Sequence, residues 1–227
     1  MKQKTDRSKY LFDNKALATL IAPLIIEQLL TILVGMADSI MVASVGEAAV
    51  SGVSLVDQIM VLLINVFAAL ATGGAVVAGQ YLGQQKKEQA KYYNRKLILI
   101  THGCMAVTVA IVFTMIPVLL RAYNLSDAAS EATRHILWFH GVCAVLTWPE
   151  SFVLPATFRA AGDAKACMII ATLSMWIFRV GFSYFLGKTL GWGVFGVWVA
   201  MIIDWEFRIL CFAIRYFRGS WMKKALV

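Results

Sequence analysis

Six long apolar segments, separated by short polar stretches, dominate the pattern of hydrophobic and polar positions along the chain. A helix that crosses a bilayer needs about 20 predominantly apolar residues, and each segment reaches that length. The pattern therefore predicts transmembrane helices over residues 17–45, 48–82, 97–120, 135–158, 166–186 and 193–217. The predicted fold class is all-α, an integral membrane bundle of six transmembrane helices.

Composition supports the membrane class. The chain has 227 residues, of which 60% are hydrophobic and 15% charged, and its mean hydropathy is +0.72. A soluble domain is less apolar and carries about 25% charged residues, so membrane lipid is an expected partner. The four cysteines are scattered through apolar segments, and no phosphate-binding loop, metal cluster or nucleophile motif is present. We therefore expect neither an enzyme nor a cofactor.

The distribution of Lys and Arg predicts the orientation. The net charge is +8, but the basic residues flank the apolar segments, which argues against a nucleic-acid partner and follows the positive-inside rule. Sixteen of them lie in the N-terminal tail, the connections 2–3 and 4–5 and the C-terminal end, against three on the other side. Both termini are therefore predicted to be cytoplasmic.

Carboxylates inside the first two helices are the leading functional candidates, because ionisable groups within a membrane are costly and mark ion or substrate pathways. Glu27 and Asp38 lie on one face of helix 1, about three turns apart. Asp38 and Asp57 lie at similar depths, about 12 and 16 Å from the predicted turn near Gly46. Such carboxylates can share a proton or hold a cation, so all three are predicted coupling residues.

Further polar residues are candidates for a substrate cavity, with hydrogen-bonded contact between helices as the alternative. They comprise a stripe on helix 2, a neighbour on helix 1 and a carboxylate beside Pro149: Ser54, Gln58, Asn65, Thr72, Gln28 and Glu150. Arg179 and Asp204 lie at equal depth on adjacent helices, and Asp204 and Arg208 are four residues apart. Arg179, Asp204 and Arg208 are therefore predicted to form a structural ion-pair set.

Several stretches resemble the multidrug and toxic compound extrusion (MATE) family. The segment PLIIEQLLTILVGMADSIMVASVGEAAVSGVSL, residues 23–55, is similar to that family's first two helices, including Asp38 just before the turn at Gly46. Residues 158–208, with the pieces FRAAGD, GVW and the stretch from Asp204 to Arg208, resemble its last helices. The resemblance covers most of the chain.

The family has twelve helices in two similar lobes, so the resemblance implies that this chain is one lobe. Residues 1–90 resemble the N-terminal lobe and residues 91–227 the C-terminal lobe, which predicts a hybrid within one membrane domain. Two copies, forming a homodimer, would then complete a twelve-helix assembly.

The function implied by the resemblance is export of small organic, often cationic, compounds from a bacterial cell, across its plasma or inner membrane. Export would be multidrug antiport coupled to a proton or sodium ion, with Asp38 as the residue that carries the coupling. The alternative is a non-transporting, truncated remnant or an assembly partner of such a transporter.

Overall fold

A computed structural model describes residues 14–44 and 47–224 of the chain. Those residues form six long helices and no strand: α1 (Asn14–Ala43), α2 (Glu47–Gly83), α3 (Lys87–Ala122), α4 (Asp127–Ala160), α5 (Ala164–Thr189) and α6 (Gly193–Phe217). A short 3₁₀ turn, Ser220–Lys224, follows α6. The predicted all-α bundle is confirmed.

Five of these helices, α1 to α5, are long and apolar enough to cross a membrane. The sixth, α6, has 25 residues, a length of about 37 Å at 1.5 Å per residue, but Asp204, Glu206 and Arg208 interrupt its apolar sequence. Asp204 and Arg208 are buried and form an ion pair of 2.8 Å, so α6 directs these two charges into the bundle.

Two helices begin well before their apolar segments. Structure places the start of α3 at Lys87 and that of α4 at Asp127, whereas hydropathy predicts residues 97 and 135. Ser126 caps α4 by accepting a hydrogen bond from the backbone N–H of Ala129. Hydropathy identifies only the apolar part of a helix, which can lie in the membrane. The same helix can continue beyond that part through polar turns, which hydropathy does not detect.

Four of the five basic residues predicted to orient the N-terminus, Lys2, Lys4, Arg7 and Lys9, lie outside the described residues, as does Gly46 at the predicted first turn. The fifth, Lys15, lies in the first turn of α1. An even number of antiparallel helices places the start of α1 and the end of α6 at the same end of the bundle. Its cytoplasmic assignment stays a prediction.

The core is centred on α4, which packs against α2, α3, α5 and α6. Of the residues in its most apolar stretch, 56% are buried, against 11% for α1. Aromatic rings fill this centre, where Trp148 stacks on Phe152, and Phe152 meets the edge of Trp205. The peripheral helix α1 buries only Pro23, Val34 and Val42, so its polar contacts matter more for its position.

The helix α5 departs from α-helical geometry in two π-helical stretches, Met175–Gly181 and Tyr184–Thr189. Widened turns of this kind rotate the side chains that follow them and occur often at functional sites. Arg179 lies within the first stretch. The same helix ends in close backbone contact with α6 at Gly187 and Gly196.

We predict that Gly196→Ala lowers the free energy of unfolding by about 1–3 kcal/mol, because overpacking forces the backbone to shift. An added Cβ would lie 2.8 Å from the backbone nitrogen of Gly187 and 2.8 Å from the carbonyl carbon of Leu186. The control is Gly103→Ala on α3, whose Cβ meets nothing within 4 Å and which should retain or slightly raise stability. Unfolding in detergent micelles measures both; equal stability of the two variants would contradict the prediction.

Candidate functional site

A cleft of about 240 Å³ lies between α1, α2, α5 and α6. Its described lining combines three charged side chains with hydroxyl, glycine and apolar positions: Gly35, Asp38, Ser39, Val42, Val50, Val53, Ser54, Asp57, Arg179, Val197, Trp198 and Met201. Four of the predicted site residues, Asp38, Asp57, Ser54 and Arg179, therefore share one cavity.

An ion pair between Asp38 and Arg179 joins α1 to the π-helical stretch of α5. The Nε of Arg179 donates a hydrogen bond of 2.7 Å to Oδ2 of Asp38. The side chain of Asp38 is 15% exposed and that of Arg179 is 25% exposed, so the pair is desolvated on one side and faces the cleft on the other. The second oxygen, Oδ1, is buried and has no hydrogen-bond partner among the described residues, which leaves an acceptor free for a proton or cation.

The carboxylate of Asp57 is exposed in the cleft and forms no hydrogen bond or ion pair within the described part of the chain. It lines the same cleft as Arg179 and Asp38. The cleft thus contains two carboxylates and one guanidinium, an excess of one negative charge when all three are ionised. That balance favours a monovalent cation, a proton or an organic cation over an anion.

The predicted pairing of Arg179 with Asp204 is wrong. Asp204 instead pairs with Arg208, as their i,i+4 spacing predicted, and its carboxylate accepts a hydrogen bond from the hydroxyl of Ser174. The prediction rested on equal distances from the helix ends, but such distances do not determine the direction in which a side chain leaves its helix. Arg179 points towards α1, whereas Asp204 contacts Ser174, five residues before Arg179 on α5.

Glu27 lies outside the cleft's described lining and pairs with Arg159 at the end of α4. Between it and Asp38, the hydroxyl of Thr31 contacts the sulfur of Met175 at 3.6 Å. Glu27, Thr31 and Asp38 therefore all face α4 and α5, so the shared face predicted from their spacing is confirmed. Both acidic residues of α1 are held by arginines from other helices.

The remaining cavity candidates do not line this cleft. Gln58 accepts a hydrogen bond of 2.7 Å from the hydroxyl of Tyr123. Thr72 donates to the carbonyl of Ala68 in its own helix, and Gln28 and Asn65 are exposed. Their roles in substrate binding stay predictions.

Glu150 also lies apart from the cleft, at a contact between α3 and α4. Its Oε1 lies 2.8 Å from Nε2 of His102.

The sequence prediction did not include His102, Arg159 or Tyr123 as partners, since each joins helices that only packing brings together. The pairing of Asp38 with Arg179 could have been predicted from the sequence, because the two residues carry opposite charges within helices 1 and 5. No group of three His, Cys, Asp or Glu residues in the described chain could hold a metal ion.

Comparison with known proteins decides the family. The MatE family model matches residues 23–185, which is more than half of the chain. The chain belongs to the MatE family. Among curated proteins, it is 25% identical over 189 residues to the uncharacterized transporter YisQ of Bacillus subtilis, covering 82% of this chain. It is 24% identical over 152 residues, 66% of this chain, to the probable multidrug resistance protein NorM of Thermotoga maritima.

Solved MATE structures share the fold. A MATE in the bent conformation matches 96% of this MatE chain with a TM-score of 0.82 and 19% identity. A MOP superfamily transporter from Pyrococcus furiosus matches 89% with a TM-score of 0.77 and 22% identity. The matched proteins are transporters rather than enzymes, and the helices of this chain are those of a multi-pass membrane protein.

The MatE chain spans less than half of the proteins it matches. It covers 40% of YisQ and 32% of NorM, and 49% and 44% of the two solved chains. This extent corresponds to one lobe. Whether residues 1–90 and 91–227 derive from different lobes stays a prediction.

We predict that Arg179→Gln lowers the free energy of unfolding by about 1–3 kcal/mol, because it leaves the Asp38 carboxylate without its partner in a partly desolvated site. Adding Asp38→Asn should restore part of that loss, with a coupling of about 1–2 kcal/mol in the double-mutant cycle. Unfolding in detergent micelles measures the cycle. The control is Glu88→Gln, which removes the exposed pair with Lys91 and should leave stability unchanged; strictly additive losses at Asp38 and Arg179 would contradict the pairing.

Proposed function

We propose that the chain is a lobe of a multidrug exporter that exchanges small organic cations for protons or sodium ions across the plasma or inner membrane of a bacterial cell. The observation that carries the proposal is the arrangement of Asp38 in the cleft. One of its carboxylate oxygens is bound by Arg179, the other has no hydrogen-bond partner among the described residues, and Asp57 lines the same cleft. The relationship to a probable multidrug resistance protein supports the choice of substrate class.

The ion pair supplies a two-state element. A proton or sodium ion on Asp38 weakens its attraction to Arg179, because the carboxylate loses its negative charge or shares it with the cation. Since α1 buries few side chains of its own, a weaker ion pair lets α1 move relative to α5. Such a change of charge in a low-dielectric site is the kind of event that biases helix packing in alternating access.

The apolar and acidic parts of the cleft suit an organic cation. Trp198, Val197 and Met201 form its apolar wall on α6, and aromatic faces attract cations. Asp38 and Asp57 provide the opposite charge. Substrate and coupling ion would then compete for the same carboxylates, so that one leaves when the other binds.

A second lobe is the proposed partner, in a homodimer or with another chain. Asn65 lies near the middle of α2, is exposed, and forms no hydrogen bond to any other residue in the described ranges. A side-chain amide in hydrocarbon is costly without a partner, and across an interface it joins helices. The face of α2 that carries Gln58, Asn65 and Thr72 is therefore the surface proposed to meet the second lobe around a shared cavity.

We expect Asp38→Asn to slow export of a fluorescent organic cation from proteoliposomes by about tenfold or more, the loss of one charge-assisted contact. Export would be driven by an imposed proton or sodium gradient, and the ion whose gradient accelerates wild-type export is the coupling ion. Asp57→Asn should also lose gradient dependence.

The matched control is Glu131→Gln, which neutralises an exposed carboxylate at the start of α4 and should export as the wild type does. Wild-type rate and gradient dependence in Asp38→Asn would contradict the assigned coupling role. No export by the wild-type chain would instead favour the non-transporting alternative.

For the partner, we expect Asn65→Cys in a background without the four native cysteines to form a disulfide-linked dimer in membranes. The control position is Leu99, which is 71% exposed but lies on α3, outside the proposed interface on α2. Leu99→Cys should remain monomeric. Only monomers at both positions would contradict the homodimer.

A further inference from the structure

A proline in α4 creates an unusual acceptor within the bundle. Pro149 has no backbone N–H, so the carbonyl of Val145, four residues earlier, lacks its normal donor within the helix. The structure places Nδ1 of His102, on the neighbouring helix α3, 2.7 Å from that carbonyl oxygen. His102 therefore takes the place of the backbone N–H donor that Pro149 lacks.

The second ring nitrogen of His102 contacts the residue after the proline. Nε2 lies 2.8 Å from Oε1 of Glu150. One imidazole thus bridges a backbone acceptor and a carboxylate on the same helix. Its two contacts determine how many protons the site contains.

A carbonyl oxygen can only accept, so Nδ1 must carry a hydrogen. A carboxylate oxygen and an unprotonated ring nitrogen would repel each other at 2.8 Å, so a second proton lies between Nε2 and Oε1. It belongs either to an imidazolium facing a carboxylate or to a neutral imidazole facing a carboxylic acid. Both forms have no net charge, and removal of the shared proton leaves one negative charge.

The surroundings disfavour that negative charge. The side chains of His102 and Glu150 are 28% and 30% exposed, and both lie within helices that are apolar enough to cross a membrane. The other carboxylate oxygen of Glu150 is buried and has no hydrogen-bond partner among the described residues. An unpaired carboxylate in such a position is expensive, which favours retention of the proton.

Within the described residues, no other charged group on a neighbouring helix forms an ion pair with His102 or Glu150. Along α3 and α4 themselves, the nearest ionisable side chains in sequence are Lys96, Cys104, Cys143 and Arg159, and Arg159 pairs with Glu27. On the elements packed against them, α2, α5 and α6, the charges within the membrane segments are Asp57, Arg179, Asp204, Glu206, Arg208 and Arg215. Arg215 pairs with Asp163. Asp57 and Arg179 line the cleft, and Arg208 pairs with Asp204. Glu206 is exposed, and within the described ranges it forms no ion pair with His102.

We propose that His102 and Glu150 form a proton-binding site beside Pro149, separate from the Asp38 cleft. The site binds one proton between the two side chains and holds α4 against α3. Release of that proton to water requires the two side chains to separate, so proton loss is linked to opening of this helix contact. The inference does not rest on transport, because it concerns a proton bound by the protein in the absence of substrate.

The test is a count of protons on these two side chains at about pH 8, where an exposed histidine is neutral. The chain contains three histidines, so ¹⁵N-histidine NMR can resolve them, with His102→Gln identifying the signal. Infrared spectroscopy detects a protonated carboxyl, and Glu150→Gln identifies its band. We expect either an imidazolium at His102 or a carboxylic acid at Glu150, and the loss of that one proton per chain in Glu150→Gln.

Glu150→Gln keeps a hydrogen-bonding group at the site, so its fold should persist, and circular dichroism checks this. The matched control is Glu131→Gln, which removes an exposed carboxylate 3.8 Å from Nε2 of His135 and should leave the His102 signal and the Glu150 band unchanged. A singly protonated His102 together with an ionised Glu150 in the wild-type chain would overturn the proposal.

Discussion

The ion pair between Asp38 and Arg179 is the contact on which the arrangement of the candidate site depends. The helix α1 is mostly exposed and buries few apolar side chains, so packing alone holds it weakly. Arginines from two other helices, Arg179 and Arg159, bind its carboxylates about three turns apart. In a low-dielectric bundle, these pairs stabilise α1 and also make its position sensitive to the charge on its carboxylates.

Ion pairing also accounts for two buried carboxylates elsewhere in the bundle. Asp204 pairs with Arg208, and Asp163 pairs with Arg215 where the connection between α4 and α5 meets the end of α6. These carboxylates are fully buried, which is consistent with structural roles, because a buried ion pair outside the cleft has little access to a ligand. Asp57 differs, since it faces the cleft without a direct partner in the described chain. Access to the cleft thus separates the candidate functional charges from the structural ones.

Helix irregularities place the polar groups. The π-helical stretch of α5 contains Arg179, and Pro149 in α4 leaves the carbonyl that His102 contacts. Each irregularity frees or rotates a backbone or side-chain group within a bundle that is otherwise regular and apolar. The two sites use the same physical device on different helices, because a regular helix hides its backbone groups from its neighbours.

The sequence by itself determined the membrane class, the six helices and the shared face of Glu27 and Asp38, because hydropathy and helical periodicity are local properties of the chain. It also placed Asp38 and Asp57 at compatible depths. Only the tertiary structure decided that Arg179 meets Asp38 rather than Asp204, that Gln58 meets Tyr123, and that Glu150 meets His102 outside the cleft. Spacing along a helix gives the depth of a side chain, but its partner depends on which neighbouring helix lies in the direction it points, and packing alone settles that.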